Sequence, residues 1–245
     1  LAQISQPVGE LTYRGRNIPC YPAVGDHQAA LAGSLLEAGE LSINVSTGSQ
    51  VSQLTDELRL GEYQTRPYFD GRFLNTITHL PAGRSLQVLI DLLTGLSQAE
   101  GHAIADPWKH AVALAERAAE TDLTVDLSFF AGALGDRGAI GNITTENLTV
   151  GTLFRAAFRS MTENYRTCAL RVSPQRDWTR LVFSGGLVQK IGLLREMIAD
   201  RLESPHRIAP FEEDTLAGLL ALALVVSGRS ANLSEASRLL SSTNR

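Results

Sequence analysis

The amino-acid sequence predicts an α/β layered fold in which a mixed sheet is flanked by helices. Short apolar stretches with the length of strands alternate with longer stretches of helical periodicity, an alternation typical of such layers. With 245 residues, of which 44% are hydrophobic, the chain can bury a sizeable core. Three turns beside predicted strands carry small or acidic residues, and ligands bind at strand ends of this kind in α/β folds.

The N-terminal part of the chain is predicted to begin with extended segments. Glycine and proline residues interrupt short apolar pieces there, which favours extended chain or a hairpin leading into a buried strand over residues 22–24. Asp26 suits the N-cap of a helix over residues 27–38, and Gly39 suits its C-terminus. The next predicted elements are a strand over 41–45, a strand or hairpin arm over 67–74 and an amphipathic helix over 84–96.

The C-terminal part is predicted to be mainly helical. A Gly-rich irregular stretch over residues 132–142 precedes a long helix over 150–170, whose apolar residues recur on one face. A short apolar strand covers residues 179–183. The remaining predicted helices cover residues 107–119, 190–202, 213–227 and 233–240.

Composition argues against several classes of partner and site. The formal net charge is −4, from 22 basic and 26 acidic residues, so we expect neither a nucleic acid nor a membrane surface as partner. The two cysteines, Cys20 and Cys168, lack metal-ligand spacing and support neither a disulfide framework nor a zinc site, which favours the cytoplasm. The longest apolar run, residues 216–226, is too short to span a bilayer.

Three turns are expected to converge on one site. They are Gly25-Asp26 before a predicted helix, Ser46-Thr47-Gly48-Ser49 after a predicted strand, and Ser184-Gly185-Gly186 after another. A carboxylate together with small-residue turns is a combination that phosphoryl transfer to a hydroxyl can use.

Five segments, in order along the chain, resemble the C-terminal domain of the FGGY family of carbohydrate kinases. They are residues 25–31, 46–49, 83–87, a block over 137–166 and 184–186. The resemblance implies an actin-like (ribonuclease H-like) ATPase fold. Residues 41–50 and 66–74 look most like sedoheptulokinase-type members.

The resemblance also implies that residues 1–245 are a single C-terminal domain, the nucleotide-binding half of a kinase with two domains. The family's N-terminal domain opens with an Asp-x-Gly-type phosphate loop, and this sequence contains none. The implied ligands are a ketose or polyol, with a sedoheptulose-like sugar as the best guess, together with ATP and Mg²⁺. The implied protein partner is the missing N-terminal kinase domain, a homodimer is left open, and the isolated domain is expected to be inactive.

Two residues beside the first turn are assigned to the sugar by the resemblance. Asp26 matches the catalytic aspartate, which acts as general base on the substrate hydroxyl, although a helix N-cap is an ordinary role for an aspartate there. His27 stands where the family has a polar residue, often glutamine, that contacts the sugar. An isolated histidine can equally be a surface or packed residue.

The expected nucleotide site has seven residues and no metal ligand. Thr47 and Gly48 match a family loop near the terminal phosphates, although Ser46 replaces the first glycine of that loop. The structural alternative is a polar β-turn that binds no ligand. The other five are Gly83, Gln87, Gly185, Gly186 and Lys190.

Each of those five assignments has an ordinary structural alternative or a departure from the family. Gly83 can simply cap a helix, and Gln87 can simply be solvated. Gly185 and Gly186 match the family's adenosine motif, in which the absence of side chains lets the nucleotide lie against the backbone, but Leu187 after them departs from the usual small residue. Lys190 replaces an asparagine and either contacts phosphate or ribose or is solvated. These departures leave a non-catalytic actin-like module for nucleotide binding or protein association as the alternative function.

Overall fold

The structure of the chain is a computed structural model that describes residues 6–243. Its strands are β1 (Gly9–Tyr13), β2 (Arg16–Cys20), β3 (Glu40–Val45), β4 (Ser49–Thr55), β5 (Gln64–Pro67), β6 (Phe73–Leu80), β7 (Thr124–Asp126), β8 (Ala139–Gly141), β9 (Arg180–Ser184) and β10 (His206–Ile208). Its helices are α1 (Asp26–Gly33), α2 (Gly83–Ala99), α3 (Pro107–Arg117), α4 (Val150–Val172), α5 (Gly186–Lys190), α6 (Gly192–Arg201), α7 (Asp214–Val226) and α8 (Leu233–Thr243).

Six strands form a mixed sheet with the order β10-β9-β3-β4-β6-β5. The strands β10, β9 and β3 run parallel, whereas β3, β4, β6 and β5 pair antiparallel. Asn44 near the end of β3 is in register with Ser184 at the end of β9. Because parallel strands end at the same edge of a sheet, the turns after β3 and β9 lie side by side.

One face of the sheet carries the larger apolar core. Leu41, Ile43, Val51 and Phe183 are fully buried there, in the same core cluster as the buried face of α4. That face of α4 is lined by large side chains, namely Phe154, Phe158, Met161 and Tyr165. The helix begins with a capping box, in which the side chains of Thr149 and Thr152 each accept a hydrogen bond from the backbone amide of the other residue.

The opposite face of the sheet is covered by α1, α7 and α8. Leu54, Leu74 and Val182 of the sheet belong to a second buried cluster with residues of all three helices. The helices α1 and α7 cross with almost no space between them: a Cβ on Gly33 would collide with the carbonyl oxygen of Asp214, and one on Gly218 with that of Ala29. Small residues therefore set how closely the two helices approach.

An ion cluster around the buried Glu40 closes the edge of the sheet where β3 and β9 begin. Glu40 at the start of β3 accepts from Arg180 at 2.5 Å and from Arg207 at 2.7 Å. Burial by itself raises the pKa of Glu40, but the hydrogen bonds and charge of Arg207, with the hydrogen bond of Arg180, hold it below its usual value. This cluster lies at the far end of the strands from the turns that were expected to form the site.

Several sequence predictions are confirmed, including the mixed sheet, α2, α3, α4, α7 and α8. Others are wrong. Residues 22–24 form no strand, and the N-cap of α1 is Gly25, with Asp26 as the first helical residue. The helix ends at Gly33 instead of residue 38, and Gly39, with a φ of 75°, forms the turn before β3.

The remaining differences concern breaks and short strands. The segment 67–74, predicted as a strand or hairpin arm, runs from the last residue of β5 through a turn to the first two residues of β6. The helix predicted over 190–202 is divided at Ile191 into α5 and α6. The strands β4, β7, β8 and β10 were not predicted. Within the described part of the chain, no helix has both the length and the apolarity that crossing a membrane requires.

Candidate functional site

The turn between β3 and β4 forms one corner of the candidate site. The amide of Ser46 donates to the carbonyl of Gly48 at 3.0 Å, which closes a tight turn around Thr47. A Cβ on Gly48 would meet nothing within 4 Å, so this side of the turn borders open space. Thr47 is also exposed, and its hydroxyl and the backbone around it are accessible to a ligand.

The first turn of α2 docks on that corner through its backbone. The amide of Gly83 donates to the carbonyl of Ser46 at 3.0 Å, and the amide of Arg84 donates to that of Thr47 at 2.9 Å. A Cβ on Gly83 would lie 2.8 Å from the Ser46 oxygen, so this close approach requires glycine. Gly83 therefore has a structural role here, and the two amides that bind the turn are not available to a ligand.

The turn between β9 and α5 forms the second corner. Gly185 has a φ of 88°, and a Cβ there would lie 2.5 Å from the carbonyl oxygen of Val45, so only glycine fits. A Cβ on Gly186 would meet nothing within 4 Å. The two corners are linked by a hydrogen bond of 2.9 Å from Asn44 to Ser184. The first glycine holds the turn against β3, and the second leaves its outer surface open.

A cleft of about 1010 Å³ lies between these corners, α2 and α3. Five of the predicted nucleotide residues line it: Thr47, Gly83, Gln87, Gly186 and Lys190. Gly48 and Gly185 stand directly beside lining residues in the two turns, without lining the cleft themselves. The structure thus brings the predicted nucleotide residues together around one open space.

Sequence reasoning missed the wall that α3 contributes. The indole N–H of half-buried Trp108 donates to Oε1 of Gln87 at 2.7 Å, and Nε2 of Gln87 donates to Asp91 at 2.8 Å. These two partners fix which end of the Gln87 amide carries oxygen. A tryptophan directly after Pro107 at the start of an amphipathic helix was the available signal, but the pattern gave no indication of where α3 packs.

Charged side chains of both signs surround the cleft. Arg84, Lys109 and Lys190 line it, and so does Glu116. The guanidinium of Arg84 stacks on the ring of Phe130 with 3.6 Å between the guanidinium carbon and the ring centroid, which restrains this long side chain. Open backbone at Gly48 and Gly186 together with these cations fits a ligand that carries phosphates. Among residues 6–243, no group of three or more His, Cys, Asp or Glu side chains is arranged to hold a metal ion.

Asp26 lies outside this cleft, at the N-terminus of α1. Its side chain is exposed, and one carboxylate oxygen accepts from the backbone amide of His27 at 2.7 Å. Gly25 before it provides no side-chain cap. The carboxylate is therefore presented to solvent from the positive end of a helix, a location that favours an anion.

His27 points the other way, into the protein. It is 8% exposed, and its Nε2 lies 3.2 Å from Oγ of Ser52, in the middle of β4. Burial, the largest effect, and the charge of Arg66 lower its pKa to about 4, against a smaller opposing effect of Asp26. The imidazole is consequently neutral at physiological pH.

Comparison with known proteins identifies the fold. No family model matches the chain, and no curated protein matches it. Among solved structures, the chain is similar to xylulose kinase from Rhodospirillum rubrum, with a TM-score of 0.79 and 15% identity over 96% of this chain and 49% of that one. Gluconate kinase from Lactobacillus acidophilus gives a TM-score of 0.79 and 16% identity over 97% and 50% of the two chains.

A third similar structure is Plasmodium falciparum glycerol kinase with ADP, with a TM-score of 0.73 and 16% identity over 96% of this chain and 49% of that one. The present chain spans about half the length of each of these structures. At such low identities the likeness establishes the fold alone. The chain has the actin-like (ribonuclease H-like) ATPase fold that these FGGY-type carbohydrate kinases share.

Proposed function

We propose that this chain is the nucleotide-binding half of an ATP-dependent sugar kinase. The observation that carries the proposal is the cleft itself, in which the turns after β3 and β9 meet α2 and α3 around open space on a fold shared with carbohydrate kinases. The chain spans about half of those kinases, so we assign the second wall of the active site, with most sugar contacts, to a domain outside it.

Within the cleft, the phosphates of ATP are assigned to the open turn at Thr47 and Gly48. The nucleoside is assigned to the surface formed by Gly186 and Gln87, where the missing side chain of Gly186 leaves room for close approach and Gly185 holds the turn in place behind it. Lys190 at the rim is placed to contact ribose or phosphate. Mg²⁺ bound to ATP would neutralise phosphate charge, and we assign its coordination to phosphate oxygens, water and the domain outside this chain.

Asp26 is the proposed general base. As the sugar oxygen bonds to the γ-phosphorus and the bond to the β,γ-bridging oxygen breaks, the hydroxyl proton passes to the Asp26 carboxylate. The exposed position of this carboxylate at a helix N-terminus supports the assignment, because the ionised form can accept the proton. A ketose or polyol is the substrate class, with a sedoheptulose-like sugar as the first candidate.

The proposal is tested by assaying the full-length protein that carries this chain with ATP and a panel of ketoses and polyols. We expect Asp26→Asn to lower kcat by about 10² to 10⁴-fold while melting temperature and nucleotide affinity stay unchanged. Asp200→Asn, at an exposed aspartate on α6, is the matched control and should retain activity.

Each alternative has its own result in this assay. Full turnover by Asp26→Asn would assign the base elsewhere. If the wild-type protein phosphorylates no member of the panel, the non-catalytic actin-like module becomes the better description. The isolated 245-residue chain should show no measurable transfer, because positioning requires both walls of the cleft.

A further inference from the structure

The first turn of α1 needs an anchor from outside the helix. The helix has only eight residues, and Gly25 offers no side chain to bind its first amides. Asp26, at the first helical position, accepts from the adjacent amide of His27. Helices this short are unstable without tertiary contacts, so the orientation of Asp26 depends on what holds this turn against the sheet.

A buried chain of hydrogen bonds provides that anchor. The Nε2 atom of His27 lies 3.2 Å from Oγ of Ser52, which lies 2.8 Å from Oγ1 of Thr76. Thr76 donates its proton to the carbonyl of Val51 at 3.2 Å. With that proton donated to the Val51 carbonyl, Ser52 donates to Thr76 and the Ser52 oxygen accepts from Nε2–H of His27. The direction of the chain assigns the neutral Nε2–H tautomer to the imidazole.

We propose that His27 is a positioning residue, whose hydrogen bond to Ser52 ties the first turn of α1 to the sheet and thereby orients the Asp26 carboxylate. This inference rests on the proposed function of Asp26. It replaces the expectation that His27 contacts the sugar, since the ring is 8% exposed and its N–H is bound inside the protein.

The charge state of the ring supports this role. A buried hydrogen bond from a neutral imidazole needs a proton at Nε2 and none at Nδ1. Burial and the nearby Arg66 both disfavour the second proton, which keeps the pKa of His27 at about 4. The anchor therefore persists throughout the pH range in which sugar kinase activity would be measured.

Ser52 allows a test that leaves every surface residue unchanged. It is completely buried, so it cannot touch a substrate, yet Ser52→Ala removes the acceptor of His27. Ser42 is the matched control, because it stands directly opposite Ser52 on β3, is almost equally buried and has a hydroxyl with no hydrogen-bond partner among residues 6–243. In the full-length protein, Ser52→Ala should lower kcat about 10-fold with KM for sugar and ATP unchanged, whereas Ser42→Ala should retain kcat.

Substitutions of His27 itself complete the test. His27→Gln retains an N–H donor in a comparable place and should keep most of kcat, whereas His27→Leu should lower kcat to the level of Ser52→Ala. The double variant His27→Leu/Ser52→Ala should be no slower than either single variant, because each single variant already removes the hydrogen bond between His27 and Ser52. Equal kinetics for Ser52→Ala and Ser42→Ala would overturn the inference. A large rise in sugar KM with unchanged kcat in His27→Gln would restore the sugar-contact role and overturn it too.

Hydrogen exchange separates failure of this inference from failure of the proposed function. In the 245-residue chain, the amide of Ala29, which bonds to the carbonyl of Gly25, should exchange faster in Ser52→Ala than in Ser42→Ala. If the wild-type protein is not a kinase but this difference is found, the anchor stands and only the role of Asp26 fails. Equal exchange in the two variants would contradict the anchor whatever the enzyme activity.

Discussion

At the scale of single residues, two buried titratable groups lie at opposite ends of α1 and have pKa values displaced in opposite directions. His27, at the front of the helix, has its pKa lowered to about 4 and remains neutral. Asp214, the first residue of α7, lies against Gly33 at the other end through its backbone oxygen. Its Oδ1 is buried and has no hydrogen-bond partner in the described part of the chain. Burial, assisted by the charge of Glu213, raises the pKa of Asp214 to about 6.

We expect Asp214→Asn to stabilise the chain at pH 7.5 by roughly 1–3 kcal/mol, since a folded-state pKa that lies one pH unit above the unfolded-state pKa costs about 1.4 kcal/mol once the group is ionised. The carboxyl binds its proton more tightly in the folded state. Ionising Asp214 therefore costs stability progressively as pH rises from about 4 to about 6, and the full cost remains above that range. Urea unfolding at pH 4 and pH 7.5 measures the gain, which should vanish at pH 4. An equal gain at both pH values would show that ionisation of Asp214 is not its cause.

The fluorescence of Trp108 tests, also at the scale of single residues, whether a nucleotide binds in the cleft. The chain contains two tryptophans, and the other, Trp178, is buried beside Ser204, to which its indole N–H donates at 3.0 Å. In the Trp178→Phe variant, emission from Trp108 should change saturably when ATP or ADP is added, because a nucleotide would enter the cleft that Trp108 lines. The Trp108→Phe variant should show no change. Nucleotide binding seen by calorimetry without any change at Trp108 would place the nucleotide elsewhere.

At the scale of elements, the close packing of α1 against α7 depends on Gly33 and Gly218, each of which faces the backbone of the other helix. The α1 helix is short and its first turn is held by the sheet, so its other end is positioned by α7. An error in this crossing would tilt α1 and move Asp26, which connects packing on the back of the sheet with the proposed chemistry.

Gly218→Ala is expected to destabilise the chain by about 3 kcal/mol or more, because its Cβ would meet the carbonyl oxygen of Ala29, which belongs to a helix backbone and cannot rotate away. Gly95→Ala is the control within a helix. A Cβ on Gly95, on the exposed side of α2, would meet nothing within 4 Å, so alanine there should be neutral or stabilising by up to about 1 kcal/mol. Denaturant unfolding compares the two. Similar free energies of unfolding for both variants would mean that α1 and α7 are less tightly packed than the structure indicates.

These elements also show what sequence can and cannot predict here. The strand β9 was predicted because Leu181, Val182 and Phe183 form a continuous apolar run, as expected for a strand buried on both faces. The strand β3 was predicted because apolar residues alternate with polar ones over residues 41–45. The strand β4 was missed because Ser49, Ser52 and Gln53 are buried polar residues, which make the segment resemble a loop. The early end of α1 depends on the crossing of α7, which follows it by about 180 residues in the chain and which no local pattern contains.

At the scale of the whole molecule, the sheet separates structural and candidate functional groups. The strands β3 and β9 begin at the cluster of Glu40, Arg180 and Arg207 and end at the two turns that border the cleft. The glycines of the cleft were assigned from sequence because they stand in motifs of the resembled family, although the carbonyls that Gly83 and Gly185 pack against, those of Ser46 and Val45, are distant in the chain. Trp108 could not be assigned from sequence, since its place beside Gln87 results from how α3 packs on the molecule.

The hairpin of β1 and β2 has no buried face. Its strands pair with each other, and every residue from 6 to 19 is exposed, including Leu11 at 57% and Tyr13 at 55%. A two-stranded hairpin without a covered face adds little stability to a domain.

Deleting residues 1–20 should therefore leave the melting temperature of the remaining α/β domain within about 2 °C of the intact chain, since a change of 1 kcal/mol shifts a domain of this size by about 2–4 °C. Thermal unfolding followed by circular dichroism measures the difference, and hydrogen exchange of α1 tests whether its first turn is unaffected. A fall of more than about 5 °C would show that the hairpin supports the domain through contacts that its exposed residues do not reveal. Equal stability would instead mean that the six-stranded sheet and its helices form an independent unit, held by the core on both faces of the sheet.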